Sequence, residues 1–170
     1  MNFLNVIKSR WSVRDFSDIA IEQQKLQNIM EITHTAPTAK NMQPVHTYVI
    51  TNGEMLKKID DVSPCRYGAT AVFAVCYNTD ECWKDDSGAF RGEMDASIAA
   101  THIMLAATNE GLGTCWVCLF DKDGITKLLD LPKNEVPACL IMVGYPSDEA
   151  KPSPRHTDRK AFDKAFTVIE

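Results

Sequence analysis

The sequence lacks a long apolar run and lacks an excess of basic residues. Its longest apolar stretches without a charged residue, 96–109 and 136–147, are shorter than the roughly 20 residues that a membrane-spanning helix needs. With 18 basic and 23 acidic residues, the formal net charge is −5, which produces no general attraction to nucleic acids or anionic lipids. We therefore expect neither a membrane nor a nucleic acid as a partner.

The amino terminus also lacks the basic and apolar segments that form a secretion signal. Six cysteines are present, but most lie within apolar runs, where cysteine behaves as a small hydrophobic residue. A reducing cytoplasm is therefore the expected compartment, and packing is the expected role of these side chains. A length of 170 residues and an apolar fraction of 45% predict a single domain over residues 1–170.

Hydrophobic periodicity predicts an α+β fold with a small sheet. The clearest helix covers residues 92–109, which are apolar on nearly every side, as in a helix buried at the centre of a fold. Gly111 and Gly113 follow it and are suited to end a helix. A polar arm with several prolines occupies residues 146–170, and we expect it to lie on a second subunit. Further helices are predicted at 21–34, 54–61 and 122–129, the last capped by Asp121, and strands at 45–51, 70–77, 114–119 and 138–143.

The usual protein groups of nucleophilic or metal-dependent catalysis are missing. The sequence contains no G-x-S-x-G and no H-E-x-x-H motif, and its histidines are isolated from one another. Cys115 and Cys118 form one C-x-x-C pair, without the second close pair that a zinc site needs. A redox-active dithiol at these two positions stays open as an alternative. If the chain is an enzyme, a bound cofactor must supply the reactive group.

Residues 10–14 (RWSVR) carry two guanidinium groups and a hydroxyl at alternate positions. In an extended segment, Arg10, Ser12 and Arg14 point to the same side. Guanidinium groups donate paired hydrogen bonds and the hydroxyl adds another, so this set suits a phosphate. A solvated surface turn with an incidental pair of arginines is the alternative.

Residues 36–44 (APTAKNMQP) place amide and hydroxyl side chains between two prolines. Asn41 and Gln43 can each donate and accept hydrogen bonds, which fits the imide-type edge of a heterocycle. A purely structural loop is the alternative. Residues 111–116 (GLGTCW) begin like a dinucleotide-binding fingerprint, but Trp116 replaces the third glycine and the segment follows a helix, which excludes that interpretation.

Taken together, these segments resemble the FMN-dependent nitroreductase family in its short form. The order and spacing of the motifs make the resemblance specific, and it extends over nearly the whole chain. It implies a nitroreductase-like α+β fold, in which a mainly antiparallel sheet surrounds a buried apolar helix and the C-terminal arm is exchanged in a homodimer. The motifs are 10–16 (RWSVRDF), 36–44 (APTAKNMQP), 95–99 (DASIA), 105–107 (LAA), 111–116 (GLGTCW) and 144–146 (GYP).

The resemblance also implies that FMN is bound at the subunit interface. Arg10 and Ser12 would contact its phosphate, with Trp11 beside it through the backbone, and Arg14 would face the pyrimidine edge and tune the flavin. Either Arg159 or Arg155 of the arm would add a phosphate contact. The residues that would border the ring and ribityl chain from the other subunit are Pro37, Thr38, Ala39, Asn41 and Gln43. The stretch that would lie against the ring is Trp116, Val117, Cys118 and Leu119.

The implied activity is ping-pong hydride transfer from NAD(P)H through flavin N5 to an acceptor such as a nitroaromatic or a quinone. The flavin would carry the chemistry, and no protein side chain is assigned a catalytic role. Two alternatives remain beside this oxidoreductase: a non-catalytic flavin-binding protein and a cysteine redox protein that uses Cys115 and Cys118.

Overall fold

Four antiparallel strands form one sheet at the centre of the fold. The computed structural model describes residues 2–170, and its strands are β1 (Val45–Ile50), β2 (Ala71–Asn78), β3 (Gly113–Val117) and β4 (Glu135–Gly144). Their order across the sheet is β1-β2-β4-β3, and every neighbouring pair is antiparallel. The predicted α+β class with an antiparallel sheet is confirmed.

Within residues 2–170, helices cover both faces of this sheet. Helix α4 has the predicted bounds, whereas α2 begins two residues later than predicted, after Glu22, which provides no side-chain cap. Helix α3 begins one residue earlier, because the Asn52 side chain accepts hydrogen bonds from the first turn. None of the helices in this range has the length and apolar character needed to cross a bilayer. The helices are α1 (Phe3–Ser9), α2 (Gln23–His34), α3 (Gly53–Val62), α4 (Gly92–Asn109), α5 (Lys122–Leu128) and α6 (Phe162–Ala165), with 3₁₀ turns at Ala39–Asn41 and Pro154–His156.

Strand β4 begins at Glu135, three residues before its predicted start. Pro137 lies inside the strand, opposite Cys76, where the register shifts and forms a bulge. Proline has no N–H to donate, and it is tolerated in a strand at a bulge or where no neighbour needs that donor. The pairing with β3 extends only to Leu140, so Pro137 has no strand beside it on that side. Strand β3 ends at Val117, two residues before its predicted end.

The sheet has a hydrophobic layer on each face. Helices α2 and α4 cover one face, where Phe73 of β2 packs against Ile103. Helices α3 and α5 cover the other face, where Leu140 of β4 packs against Ile125. Because side chains alternate along a strand, β2 contributes to both layers and is buried almost throughout, as its continuous apolar run predicted.

Helix α4 is the central apolar helix, and within one chain it is buried along one face. Ala99 and Ile103 lie in the core, but Met94 is 60% exposed and Ile98 is 36% exposed. The sequence predicted burial on all sides, whereas a single chain leaves this second apolar face open. This second face of α4 is therefore available for contact with another surface.

The arm begins along its own chain and ends in exposed residues. Ser147 donates its backbone N–H to the Asp15 carbonyl at 3.1 Å, and Pro146 bridges to Phe16. Near the carboxyl end, four large apolar side chains are 63–94% exposed: Phe162, Phe166, Val168 and Ile169. Apart from the contact between the Phe162 and Phe166 rings, whose centres are 4.7 Å apart, one chain thus leaves these side chains largely open to solvent.

Candidate functional site

The segment that follows α1 lies alongside the edge of β3. Ser12 forms a parallel bridge with Thr114, and Val13 donates its N–H to the Thr114 carbonyl at 2.9 Å. Val13 is fully buried in the core layer below. Because neighbouring side chains of an extended segment point to opposite sides, this burial turns Arg10, Ser12 and Arg14 outward together.

These three side chains line a cavity of about 530 Å³ together with the arm. The arm contributes Arg155 and Arg159, so the structure places both candidate arginines at the same cavity. Two further lining residues, Ser153 and His156, were not identified from the sequence. They lie on the 3₁₀ turn beside Arg155, and this proximity along the chain is the one signal that could have found them.

The cavity carries a concentration of positive charge. Among residues 2–170, none of its four arginines forms an ion pair with a carboxylate. Backbone carbonyls orient two of them: Arg14 donates to the Ser12 carbonyl at 3.4 Å, and Arg159 donates to the Asp158 carbonyl at 2.7 Å. Unpaired guanidinium groups around one opening form a site for an anion, and a phosphate matches their paired donors.

The loop between α2 and β1 has an unusual backbone. Lys40, Asn41 and Gln43 have φ angles of 51°, 55° and 53°, in the left-handed region that residues other than glycine rarely adopt. Local hydrogen bonds support this shape, because Gln43 donates its N–H to the Thr38 hydroxyl at 2.9 Å. Strained conformations of this kind occur at functional sites, where the surrounding structure maintains them.

This loop borders a second, more apolar cavity of about 310 Å³. Thr38 and Gln43 form one rim, and the remaining lining comes mainly from α2, β1 and Ala99 of α4. In the part of the chain that the structure describes, no residue lines both cavities. One chain therefore does not bring residues 37–43 into the cavity of the arginines.

The end of β3 provides the third group of candidate residues. Val117 is buried and Trp116 is half-buried, whereas Leu119 is 66% exposed. The Trp116 indole N–H lies 3.2 Å from the Cys118 sulfur and donates to it. These residues follow the Ser12–Thr114 bridge directly along β3, which brings the third motif close to the first within one chain.

The two thiols of the C-x-x-C motif have different surroundings. Cys115 is buried in the core layer with Val13, whereas Cys118 is exposed. Burial raises the pKa of the Cys115 thiol above its ordinary value, although the nearby Arg14 and Arg10 charges act in the opposite direction. A buried thiol of raised pKa is a poor nucleophile, which disfavours a dithiol mechanism here.

The antiparallel sheet with helices on both faces defines an α+β protein, and the arginine cavity at the edge of the sheet offers hydrogen-bond donors that match a phosphate. The chain belongs to the nitroreductase family, because the sequence model of this family, described as "Nitroreductase family", matches residues 7–66 and 64–145. These ranges include segment 10–14, loop 36–44 and β3, and they end before the arm. The resemblance inferred from the motifs is thereby confirmed.

Named relatives and solved structures agree with this membership. A relative from Methanothermobacter thermautotrophicus, named as an NADH dehydrogenase/NAD(P)H nitroreductase, is 32% identical over 155 residues, which cover 87% of this chain and 79% of the relative. An NAD(P)H-dependent FMN reductase from Bacillus subtilis is 27% identical over 163 residues, which cover 85% of this chain and 66% of the relative. The crystal structure of a nitroreductase family protein from Clostridium difficile 630 superimposes with a TM-score of 0.93, at 31% identity and with 100% and 99% of the chains covered.

Proposed function

We propose that this chain is an FMN-dependent oxidoreductase that uses NAD(P)H as electron donor in a ping-pong reaction, with a nitroaromatic or a quinone as acceptor. The observation that supports this most directly is the cavity in which Arg10, Ser12, Arg155 and Arg159 come together without a carboxylate. Family membership and the names of the relatives support the donor and the flavin.

The residues of this cavity fit the phosphate end of FMN. A phosphate monoester carries nearly two negative charges at neutral pH and offers three acceptor oxygens. Arg10 and Ser12 on the body of the chain and Arg155 and Arg159 on the arm would hold it from two sides, and Trp11 supports this segment by packing on the core. When bound there, FMN would supply the redox chemistry, which is hydride transfer between the nicotinamide donor and the acceptor.

Arg14 has a different role in this proposal, because it would face the pyrimidine edge of the flavin. Its positive charge stabilises negative charge at that edge, which favours reduction. The hydrogen bond to the Ser12 carbonyl directs its guanidinium group. The end of β3, with Trp116, Val117, Cys118 and Leu119, would form a wall against the flat ring.

We further propose that two copies of the chain complete the site. The loop residues that would border the ring and ribityl chain (Pro37, Thr38, Ala39, Asn41 and Gln43) would come from the second copy. Three observations support this. The loop and the arginine cavity are separate within one chain, the second face of α4 is open and apolar, and the arm ends in exposed apolar side chains. Exposed apolar surface of this kind is typical of an interface.

We also propose that the protein works in the cytoplasm. The support is chemical: among residues 2–170 all six cysteines are free thiols, and a reducing compartment keeps thiols in that state.

The visible spectrum of the purified protein, followed by anaerobic titration with NADH and with NADPH, tests the function. We expect a yellow protein with one FMN per chain, which is bleached by at least one of the two donors. Subsequent addition of a nitroaromatic or a quinone should restore the oxidised spectrum, as a ping-pong reaction requires.

Other outcomes identify the alternatives. A yellow protein that neither donor bleaches would be a flavin-binding protein without this activity. A colourless protein that binds no added FMN, and whose activity is lost on replacing Cys115 and Cys118, would be a cysteine redox protein.

A further inference from the structure

Asp95 is a buried carboxylate with one oxygen unpaired. It lies in the first turn of α4 and is 3% exposed. Its Oδ1 accepts a hydrogen bond from the Ala39 backbone N–H at 3.0 Å, while its Oδ2 is buried and has no hydrogen-bond partner among residues 2–170. Burying a carboxylate is unfavourable, and leaving an oxygen unpaired adds to that cost. The bond from Ala39 is therefore the one side-chain hydrogen bond that the described residues give to this buried carboxylate.

The partner of Asp95 is the strained loop between α2 and β1. The other hydrogen bonds of residues 38–43 in the described chain stay within the loop, for example from Asn41 N–H to the Thr38 carbonyl at 3.0 Å. Within residues 38–43, the Asp95 bond is the one hydrogen bond that reaches another element, whereas the end of the loop is held separately by the Pro44 carbonyl, which accepts from the Asn78 N–H of β2 at 2.8 Å. A weaker contact also reaches out of the loop, where the Lys40 ammonium lies 5.8 Å from the centre of the Trp83 ring.

A local turn with several left-handed residues does not maintain itself well, because these residues have lower-energy conformations available. A hydrogen bond to a carboxylate is stronger than a neutral one, and the positive end of the α4 dipole favours the negative charge that makes it. The Asp95 bond is therefore suited to keep the loop in this conformation. Thr38 and Gln43 of the loop and Ala99, one turn after Asp95, all line the apolar cavity, so the same bond determines the shape of its rim.

We propose that Asp95 is a positioning residue, which anchors loop 38–43 to α4 through Ala39 so that Thr38, Asn41 and Gln43 are presented to the flavin in one fixed arrangement. The inference rests on the proposed function, since it takes this loop to be the part of the chain that faces the ring. The carboxylate itself touches no ligand in this proposal. It acts through the loop backbone.

Two substitutions at Asp95 distinguish its role in anchoring loop 38–43 from the effect of burying a polar side chain. Asp95→Asn keeps the size of the side chain and keeps an oxygen that can accept from Ala39, whereas Asp95→Ala removes the acceptor. Thr108→Ala is the matched control, because Thr108 is a buried polar residue near the end of the same helix and its hydroxyl bonds only within that helix, to the Met104 carbonyl.

The first measurement needs no cofactor. Trypsin cleaves after lysine, and Lys40 is exposed within the loop. For FMN-free protein we expect Asp95→Ala to raise the rate of cleavage after Lys40 by about tenfold to a hundredfold, the change that corresponds to losing one charge-assisted hydrogen bond. Asp95→Asn keeps a neutral acceptor and should fall between the parent and Asp95→Ala, Thr108→Ala should stay close to the parent rate, and Lys40→Gln should remove the cleavage and so identify the site.

The second measurement is the dissociation constant of FMN, taken from the quenching of its fluorescence. Asp95→Ala should weaken binding by about the same factor, and Asp95→Asn, which keeps a neutral acceptor, should weaken it less. Parent-like proteolysis in Asp95→Ala overturns the anchoring role, whatever FMN does. Faster proteolysis with unchanged FMN affinity overturns the link between the loop and the flavin. If the parent chain binds no FMN at all, the proposed function has failed, and the proteolysis result still decides whether Asp95 anchors the loop.

Discussion

At the scale of single residues, the proposed function gives different roles to two arginines of the same cavity, the half-buried Arg10 and the exposed Arg14. Arg10 and Arg14 are two positions apart on one extended segment and line the same cavity. In the proposed function, however, Arg10 holds the phosphate and Arg14 faces the ring. Substitutions at the two positions should therefore affect different measurable quantities.

Arg10→Ala should raise the dissociation constant of FMN about tenfold to a hundredfold, since a hydrogen bond to a charged group contributes about 1.5–3 kcal/mol. The reduction potential of the flavin that still binds should stay near the parent value. Arg14→Ala should weaken binding less and lower the potential by about 30 mV, which equals about 1.4 kcal/mol for two electrons. Fluorescence titration and anaerobic potentiometry measure the two quantities.

Lys8→Ala is the control for both variants, because it removes an exposed positive charge of α1 that does not line the cavity. It should change neither quantity. An Arg14→Ala protein with the parent flavin content and the parent potential would refute the role of Arg14.

The cysteines allow a second prediction at the residue scale. Burial raises the pKa of Cys76 and of Cys139 to about 12, so both remain protonated and unreactive in the folded protein at mildly alkaline pH. We expect a thiol reagent such as Ellman's reagent to modify the exposed Cys118 first and the half-buried Cys65 more slowly. The four buried cysteines should react only after unfolding.

Cys118→Ser should remove the fast phase, and addition of FMN to the parent protein should slow it if Cys118 lies against the ring. Two equally fast thiols that disappear together on mild oxidation would instead indicate a Cys115–Cys118 dithiol.

At the scale of elements, the arginine segment depends on its close approach to β3. An added Cβ at Gly113 would lie 2.5 Å from the Val13 methyl carbon Cγ2 and 3.0 Å from Cγ of Pro146. Gly113 thus lets segment 10–14 and the start of the arm approach the strand edge. A side chain there must displace at least one of them.

Gly113→Ala should lower the free energy of unfolding by about 1–3 kcal/mol, as overpacking does in other cores, and should weaken FMN binding as the segment moves. Denaturant unfolding and fluorescence titration measure the two effects. Gly53→Ala is the control: an added Cβ at Gly53, the first residue of α3, meets nothing within 4 Å, and stability should be unchanged or slightly higher. Equal stability of the two variants would contradict this account of the β3 edge.

At the scale of the whole molecule, a single chain leaves its apolar surface unfinished. The open face of α4 and the end of the arm carry large apolar side chains that their own chain covers only in part. A homodimer would cover both and would bring the loop of one copy towards the arginine cavity of the other. The assembly state and the flavin affinity should therefore change together.

Ile98→Glu places a charge on the open face of α4 and should shift the protein from dimer to monomer in sedimentation velocity, because burying an unpaired charge is strongly unfavourable. FMN affinity should fall in the same variant. Ile19→Glu, at another exposed apolar residue (57% exposed) outside α4 and the arm, should leave both unchanged. A dimer of parent strength in Ile98→Glu would exclude α4 from the interface.

Some elements were predictable because their signals are local. The bounds of α4 were predicted correctly, since a continuous apolar segment is followed by glycine. The Asp121 cap of α5 was also found, because a side chain that accepts from the backbone two residues later needs no tertiary contact. The start of β4 was predicted three residues too late, because the strand includes Pro137. A proline argues against a central strand because it has no N–H to donate. Only the folded sheet shows that β3 has ended before Pro137 and that the pairing with β2 has a bulge there.

Local patterns in the chain were enough to predict which residues share a side, such as Arg10, Ser12 and Arg14, since alternation along an extended segment is a property of the backbone. Tertiary structure decided what those faces meet: the placement of Ser153 and His156 beside the arginines, the bond from Asp95 to the strained loop, and the separation of that loop from the cavity. The physical reason is that the two kinds of interaction act over different distances along the chain. Backbone geometry and periodicity act over a few residues, whereas packing joins residues that are distant in the chain, and only the folded molecule shows which of them meet.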